Sequence, residues 1–230
     1  QEFLPKSFIF YKPRDVVSGD FPWFFQKDKD IYIAVVDCTG HGVPGALLSF
    51  IGYFLLNNIV DHEYNWTAGE VLDNLHMNVR RTLKQDRADA NARDGMDIAL
   101  VKINLESKNI HFSGAHRPLY LLRKGELLEF EANRKAIGGI PHPKKPEKNF
   151  TNHSIQIMEG DKIFFFSDGL TDQLGGPDRQ KYTAKRIREA VVENSDFTMT
   201  QFSNYFVRDF KKWKGDNKQI DDVLLIGIEF

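Results

Sequence analysis

The sequence predicts an α+β fold, a layered sandwich in which helices pack outside antiparallel sheets. Its apolar spacing follows the order strands, two helices, a long run of strands, two helices and a final strand. Within the long run, the connections are short and rich in turn residues, which is typical of β-hairpins. A doubly wound parallel sheet would need a helix between most strands, and the sequence pattern does not supply these helices.

The strands are predicted from runs of β-branched and aromatic residues. The run at 31–37, IYIAVVD, is almost continuously apolar, so we expect a strand that is buried on both faces. A polar loop that contains several glycines and prolines is expected at 131–148. The other predicted strands are 8–11, 16–26, 97–105, 109–115, 119–123, 127–130, 151–157, 162–166 and 223–228.

Four helices are predicted from apolar residues at steps of three and four. The first, 45–60, lies in the most apolar stretch of the chain, which carries Gly, Ser and two Asn. We therefore expect a buried core helix rather than a membrane span. The second begins after Thr67, with Glu70 as its capping-box partner, and runs to about Leu83. The remaining two are 184–193 and 199–213.

Composition limits the class of protein. The chain has 230 residues, with 31 basic and 32 acidic side chains, and this balance gives no support to a generic nucleic-acid or membrane-surface binder. Its single cysteine excludes an internal disulfide, so a reducing compartment, the cytoplasm, is expected. Because the chain carries neither an initiator Met nor a linker-like segment, we expect one domain, 1–230, cut from a longer sensor or regulatory protein.

Two motifs point to other chemistry only weakly. The G-x-G-x-x-G at 40–45 lies between a strand and a helix, as a dinucleotide fingerprint does, but a second helix occupies the place of the required second strand. Nucleotide binding by this glycine turn is kept as a minor alternative. Cys38 and His41 could share a zinc ion, yet no second ligand pair has suitable spacing.

Aspartates recur where apolar strands stop or start. A single aspartate there is ordinary turn chemistry, but several on buried strands can meet at one end of a sandwich. Carboxylates held close together repel, and divalent cations such as Mg²⁺ or Mn²⁺ remove that repulsion in an all-oxygen site. Two such ions can share a water that attacks a phosphate ester without a covalent enzyme intermediate. The aspartates are Asp20, Asp37, Asp168, Asp221 and Asp222.

Four segments carry a family resemblance: PRDVVSGDF, VVDCTGHGVPGAL, FSDGLTDQ and DDVLL. In order and spacing the chain resembles the metal-dependent (protein phosphatase 2C-like) protein phosphatases, most closely the bacterial branch typified by the sporulation stage II protein E phosphatase. The likeness covers about 8–228 and includes FSGAHRPLYLLRKGE. It implies a four-layer α-β-β-α sandwich of two antiparallel sheets flanked by helices. It also implies hydrolysis of phosphoserine or phosphothreonine in proteins, dependent on two Mn²⁺ or Mg²⁺ ions.

The resemblance also implies roles for individual residues. Asp37 would bridge both ions, and Asp222 would support the ligands. His41 is a candidate general acid, with a turn histidine bonded to backbone as the open alternative. The metal ligands implied by the resemblance are Asp20, Asp37, the backbone carbonyl of Cys38, Asp168 and Asp221. Candidate phosphate-binding residues are Lys12 and Arg14, with solvated surface charge as the alternative, and candidates for a third ion are Asp94 and Asp97.

The resemblance further implies a role in bacterial signal transduction. In this branch, upstream sensor or dimerisation segments move the two helices that follow the bridging aspartate. Expected partners are a phosphorylated protein of the anti-anti-sigma type, such an upstream segment, and a second copy in a homodimer, but neither nucleic acid nor membrane. The domain would be cytoplasmic, alone or as the cytoplasmic part of a larger sensor, and weakly active in isolation. A catalytically inactive phosphatase-like binding domain is the alternative.

Overall fold

The predicted sandwich is confirmed by a computed structural model that describes residues 4, 6–62, 64–87, 90, 93–141 and 146–230. Two antiparallel sheets face each other, and helices cover both outer faces. Of the predicted polar loop 131–148, residues 142–145 lie outside the described part of the chain.

The observed bounds follow the sequence prediction closely, with several short elements added. The helices are α1 (Gly42–Asp61), α2 (Ala68–Thr82), α3 (Asp168–Asp172), α4 (Thr183–Glu193) and α5 (Met199–Lys214). The strands are β1 (Ser7–Lys12), β2 (Phe21–Lys27), β3 (Asp30–Cys38), β4 (Gly95–Asn104), β5 (Asn109–Ala115), β6 (Leu119–Arg123), β7 (Glu126–Phe130), β8 (Ile137–Gly138), β9 (His153–Gln156), β10 (Lys162–Phe166), β11 (Leu174–Gly175), β12 (Gln180–Lys181) and β13 (Val223–Glu229).

Each sheet is built from antiparallel neighbours. One has the order β2-β3-β4-β5-β9, with the short β8 beside β4, and the other has the order β1-β13-β10-β6-β7. Strands β11 and β12 form a separate two-stranded hairpin. In the first sheet β3 is a central strand, and its register places Asp37 opposite Asp97 of β4. The end of β3 and the beginning of β4 therefore bring Asp37 and Asp97 to one edge of the sandwich.

Three layers of apolar side chains hold the sandwich together. Ile33, Phe165 and Leu224 are fully buried between the two sheets. A second layer lies under α1 and α2, and a third, rich in phenylalanine, lies under α4 and α5. Full burial of one such side chain contributes about 1.5–3 kcal/mol, so these layers fix the positions of the strand ends.

The predicted strand 16–26 is wrong in its first half. Only Phe21–Lys27 pairs as a strand, and residues 13–20 form a loop that leads to Asp20. The backbone amides of Arg14 and Gly19 donate to the Asp222 carboxylate instead of to a neighbouring strand. Because these donors already have a side-chain acceptor, the loop needs no strand partner to satisfy them.

The prediction that the first helix is buried in the core is also wrong. One side of α1 packs on the sheet and on α2, and its buried residues include Leu48, Leu56 and Ile59. By length and composition alone, α1 is long and apolar enough to cross a membrane. Because apolar residues surround the helix, spacing could not tell which side would be covered. The exposed apolar side chains of α1 are Val43, Leu47, Phe50, Tyr53 and Phe54.

Candidate metal centre

Acidic side chains gather at the end of the sandwich where β3 stops and α3 begins. Asp37 lies near the end of β3, and Asp168 is the first residue of α3. The backbone N–H of Asp168 donates to the Asp37 carboxylate at 3.2 Å. The fold therefore brings together two of the predicted ligands that are 131 residues apart in the chain.

The loop before β2 places Asp20 beside this pair. The Asp222 carboxylate anchors the loop by accepting from the backbone N–H groups of Arg14 at 2.7 Å and Gly19 at 2.8 Å. Asp20 itself is almost completely buried, with 3% of its surface exposed. Burial first, and then the charge of Asp37, raise the pKa of Asp20. Among the described residues its Oδ2 finds no hydrogen-bond partner.

Three glycines allow this loop to approach the turn after β3. A Cβ on Gly45 would lie 2.4 Å from the Gly40 carbonyl oxygen, and one on Gly19 would lie 2.6 Å from it. Gly40 adopts a φ of +83°, which L side chains rarely take. The glycines of the G-x-G-x-x-G pattern thus serve a tight turn packed against protein backbone.

Cys38, the last residue of β3, has two groups that could bind a metal ion, its thiol and its backbone carbonyl. Its thiol belongs to the apolar layer under α1 and α2, and burial raises its pKa. Its carbonyl oxygen faces the Asp20 loop, 3.4 Å from the position of a Cβ on Gly19. The carbonyl is therefore the group of Cys38 that lies near the Asp20 loop, whereas the thiol is buried in the apolar core.

Asp221 reaches the cluster from the start of β13. A Cβ on Gly169 would lie 3.1 Å from the Cβ of Asp221 and 1.9 Å from the carbonyl oxygen of Asp222. The backbone at the beginning of α3 therefore packs closely against Asp221 and Asp222, and a side chain at position 169 would not fit. Burial, followed by the charges of Asp168 and Asp222, raises the pKa of Asp221, against a lowering effect of a backbone hydrogen bond.

A guanidinium group that the sequence analysis did not single out joins the cluster. Nη2 of Arg117 lies 2.7 Å from Oδ2 of Asp97 and 2.9 Å from Oδ2 of Asp168, and its Nε lies 4.0 Å from Oδ2 of Asp37. The residue stands in the turn between β5 and β6, inside the FSGAHRPLY stretch. The sequence showed an arginine in a predicted turn within a segment that resembles the family. Its contacts with Asp97 and Asp168 could not be predicted, because these residues are far from it in sequence.

The other candidates lie around the rim. His41 precedes α1, is half exposed, and its Nδ1 is 3.2 Å from Oδ2 of Asp15. The guanidinium of Arg14 donates to the Ile220 carbonyl at 2.8 Å, and Lys12 pairs with Val223 at the end of β1. Of the two residues considered for a third ion, Asp97 lies in the cluster, while the backbone carbonyl of Asp94 accepts from Gln85.

The donor set suits a hard divalent cation. In the part of the chain that the structure describes, no three His, Cys, Asp or Glu side chains are already arranged around one point as a metal site. The groups present are nevertheless oxygen donors, and burial and neighbouring carboxylates raise the pKa values of Asp20, Asp37 and Asp221. Together with the unpartnered Oδ2 of Asp20, this excess of buried negative charge fits Mg²⁺ or Mn²⁺.

Known proteins share this fold. The SiaA-PP2C domain of Pseudomonas aeruginosa is 27% identical, with a TM-score of 0.85 over 98% of this chain and 86% of that domain. RsbX, whose structure was determined in complex with magnesium, is 18% identical, with a TM-score of 0.64 over 97% of this chain and 94% of RsbX. The phosphoserine phosphatase RsbU of Bacillus subtilis (strain 168) is 26% identical over 192 residues. That alignment covers 79% of this chain and 52% of RsbU, so the chain spans about half the length of this relative.

The two facing antiparallel sheets, the flanking helices and these likenesses define a domain of the PP2C phosphatase type. The family model described as stage II sporulation protein E (SpoIIE) matches residues 27–230. The chain belongs to the SpoIIE family.

The unpartnered carboxylate predicts a specific pH dependence of stability. In the metal-free protein the raised pKa of Asp20 means that the folded state keeps a proton that the unfolded chain loses above about pH 3.9. This group therefore lowers the free energy of unfolding increasingly as the pH rises. We expect Asp20→Asn to stabilise the protein in EDTA, and the gain to grow between about pH 5 and pH 8.

Urea unfolding of both proteins at several pH values measures this difference. Comparing the two proteins cancels the contribution of His76, whose pKa is lowered by burial in both. Asp172→Asn, at the exposed end of α3, is the control and should leave the slope unchanged. A gain from Asp20→Asn that stays constant or shrinks with rising pH contradicts the electrostatic account.

Proposed function

We propose that this chain is a metal-dependent protein-serine/threonine phosphatase domain with a regulatory role in bacterial signalling. The observation that carries the proposal is the meeting of Asp20, Asp37, Asp168 and Asp221 at one end of the sandwich, with Oδ2 of Asp20 unpartnered among the described residues. The name of the relative RsbU, a phosphoserine phosphatase, supports the substrate class. The magnesium in the RsbX structure supports the choice of a hard divalent cation.

The geometry supports an assignment of ligands to two Mn²⁺ or Mg²⁺ ions. Asp37 would be shared, because burial and the charge of Asp37 raise the pKa of Asp20, and burial and the charge of Asp168 raise the pKa of Asp37 itself. Asp20 and the carbonyl of Cys38 would complete one site, and Asp168 and Asp221 the other. When bound, such ions lower the pKa of water and offset the charge of a phosphoryl group under attack.

The surrounding residues position these ligands. The Asp222 carboxylate accepts from the backbone on both sides of residues 15–18, so it ties the Asp20 loop to the start of β13. The Asp168 amide, which donates to Asp37, fixes the start of α3 relative to the end of β3. In each of these contacts a backbone N–H donates to a carboxylate oxygen.

The site opens at the surface of the protein. The Asp168 side chain is 39% exposed, and that of His41 is 48% exposed. A phosphorylated side chain on another protein can therefore approach the carboxylates without entering a closed cavity. We assign His41 the role of proton donor to the leaving oxygen, with the nearby Asp15 carboxylate orienting its ring.

Two substitutions test the catalytic proposal. With Mn²⁺ and a generic aryl phosphate, Asp37→Asn and Asp168→Asn should each lower kcat/KM by more than about 100-fold, because each removes a charged ligand. Asp172→Asn is the matched control, since Asp172 lies on the same short helix but pairs with Lys181 on the surface. Its rate should stay near that of the unaltered protein.

The same assay separates the alternatives. EDTA should stop turnover, and added Mn²⁺ should restore it. Activity that survives both ligand substitutions contradicts the metal-dependent mechanism. Mn²⁺ binding without turnover of aryl phosphate or of phosphoprotein would favour a phosphatase-like binding domain.

We also propose that α1 is the contact for a regulatory segment of a longer, cytoplasmic signalling protein. Its exposed apolar side chains include Leu47 and Phe50, each 63% exposed, and Phe54, 49% exposed. Phe50 and Phe54 pack edge to face on this surface, with ring centroids 4.6 Å apart. The helix begins directly after the turn that follows Asp37, so a shift of α1 would be transmitted to the ligands. Partners of the partner-switching type agree with the likeness to RsbU.

Substitution of this surface should separate regulation from chemistry. Phe50→Ser should leave Mn²⁺ binding and basal aryl phosphate hydrolysis of the isolated domain within about twofold, because the side chain is largely in solvent. The upstream segment is expected to change the activity of the longer protein relative to the isolated domain. When both carry Phe50→Ser, this difference in activity should disappear. Val207→Ser, on the exposed side of α5, is the control. If Phe50→Ser lowers the basal activity of the isolated domain as much as it lowers the activity of the longer protein, a regulatory role for this surface is contradicted.

A further inference from the structure

Arg117 places a positive charge where the proposed metal ligands need one. The Arg117 side chain is mostly buried, with 16% of it exposed, and its Nη2 contacts both Asp97 and Asp168. The nearby carboxylates hold the pKa of Arg117 above its ordinary value, against a lowering effect of burial. The group is therefore a fixed cation within the carboxylate cluster.

The turn that carries Arg117 is held in place by its own backbone. Its amide donates to the Ala115 carbonyl at 2.7 Å, and a Cβ on Gly114 would lie 2.3 Å from the Arg117 carbonyl oxygen. The preceding residue, His116, has a φ of +57°, and its Nδ1 lies 2.8 Å from Oδ1 of Asp97. Because the backbone is fixed, the guanidinium can leave the carboxylates only by a change in its side-chain torsions.

The oxygen atoms that Arg117 uses are the ones that a metal ion would compete for. Oδ2 of Asp168, a proposed ligand, accepts from Nη2 at 2.9 Å, and Nε lies 4.0 Å from Oδ2 of Asp37. A divalent cation at these carboxylates would meet a like charge within a few ångströms. Metal binding and this placement of the guanidinium therefore oppose each other.

We propose that Arg117 is an internal counter-cation: it holds Asp97 and Asp168 in the metal-free protein, and Mn²⁺ must displace it in order to bind. This inference rests on the proposed metal centre. Arg117 thus positions the carboxylates and sets the affinity for metal. Its removal strengthens metal binding, whereas removal of a ligand weakens it.

Calorimetric titration with Mn²⁺ alone tests this assignment. Arg117→Gln should lower the Kd for Mn²⁺ by about tenfold, a size typical of changes in groups that contact metal ligands. Arg123→Gln is the matched control, because Arg123 forms a similar two-pronged pair with Asp161, at 2.9 and 2.7 Å, away from the cluster. Its Kd for Mn²⁺ should equal that of the unaltered protein.

Thermal unfolding gives a second readout that does not depend on activity. In EDTA, Arg117→Gln should lower the Tm because the carboxylates lose their counter-charge, and saturating Mn²⁺ should raise it by more than in the unaltered protein. Arg117→Lys keeps the charge but loses the planar guanidinium group. Its Kd for Mn²⁺ should therefore lie between that of the unaltered protein and that of Arg117→Gln. It also serves as the test if the glutamine variant does not fold.

The outcomes distinguish the inference from the proposed function. If the unaltered protein binds no Mn²⁺, the metal centre itself is wrong. If it binds Mn²⁺ and removal of Arg117 leaves the Kd unchanged or raises it, the counter-cation assignment is overturned while the metal centre stands.

Discussion

The mutual repulsion of buried carboxylates is the constraint on which the candidate site depends. Asp20 and Asp37 are placed by separate segments, and burial together with neighbouring acidic groups raises the pKa of each. A fold that gathers such groups is stable only if protons, a cationic side chain or metal ions offset the charge. Arg117 supplies part of that charge from within the protein. Divalent cations would supply the rest, and with it the means to polarise a phosphoryl group.

The sandwich supplies the rigidity that holds these groups together against their repulsion. Strands β3 and β13 belong to different sheets, and the apolar layer between the sheets fixes one relative to the other. Close approaches at Gly19, Gly45 and Gly169 then bring the loops within reach of the strand ends. A group of exposed apolar side chains near the site belongs to α1, which follows the Asp37 turn. The same helix therefore connects the ligands to a surface that a partner can cover.

Sequence reasoning predicted most of the architecture, because strand and helix periods are local properties. The α2 capping box at Thr67 and the bounds of β5, β6 and β10 agree with the structure. The strand expected at 16–26 failed in its first half because a carboxylate more than 200 residues away binds that backbone. Helix α1 was expected to be buried because a helix that is apolar all round does not reveal which neighbour covers it. Arg117 was missed for a related reason: its role is visible only once β4, α3 and the β5–β6 turn are placed in space.

The most direct test of the account is electron paramagnetic resonance of the protein titrated with Mn²⁺. A shared Asp37 ligand predicts two Mn²⁺ per chain at saturation and the signal of a magnetically coupled pair, as expected for ions about 3.5–4 Å apart. Asp37→Asn should abolish the coupling. Binding of one isolated ion, or of two ions with no magnetic interaction, would contradict the claim that these aspartates form one two-metal centre.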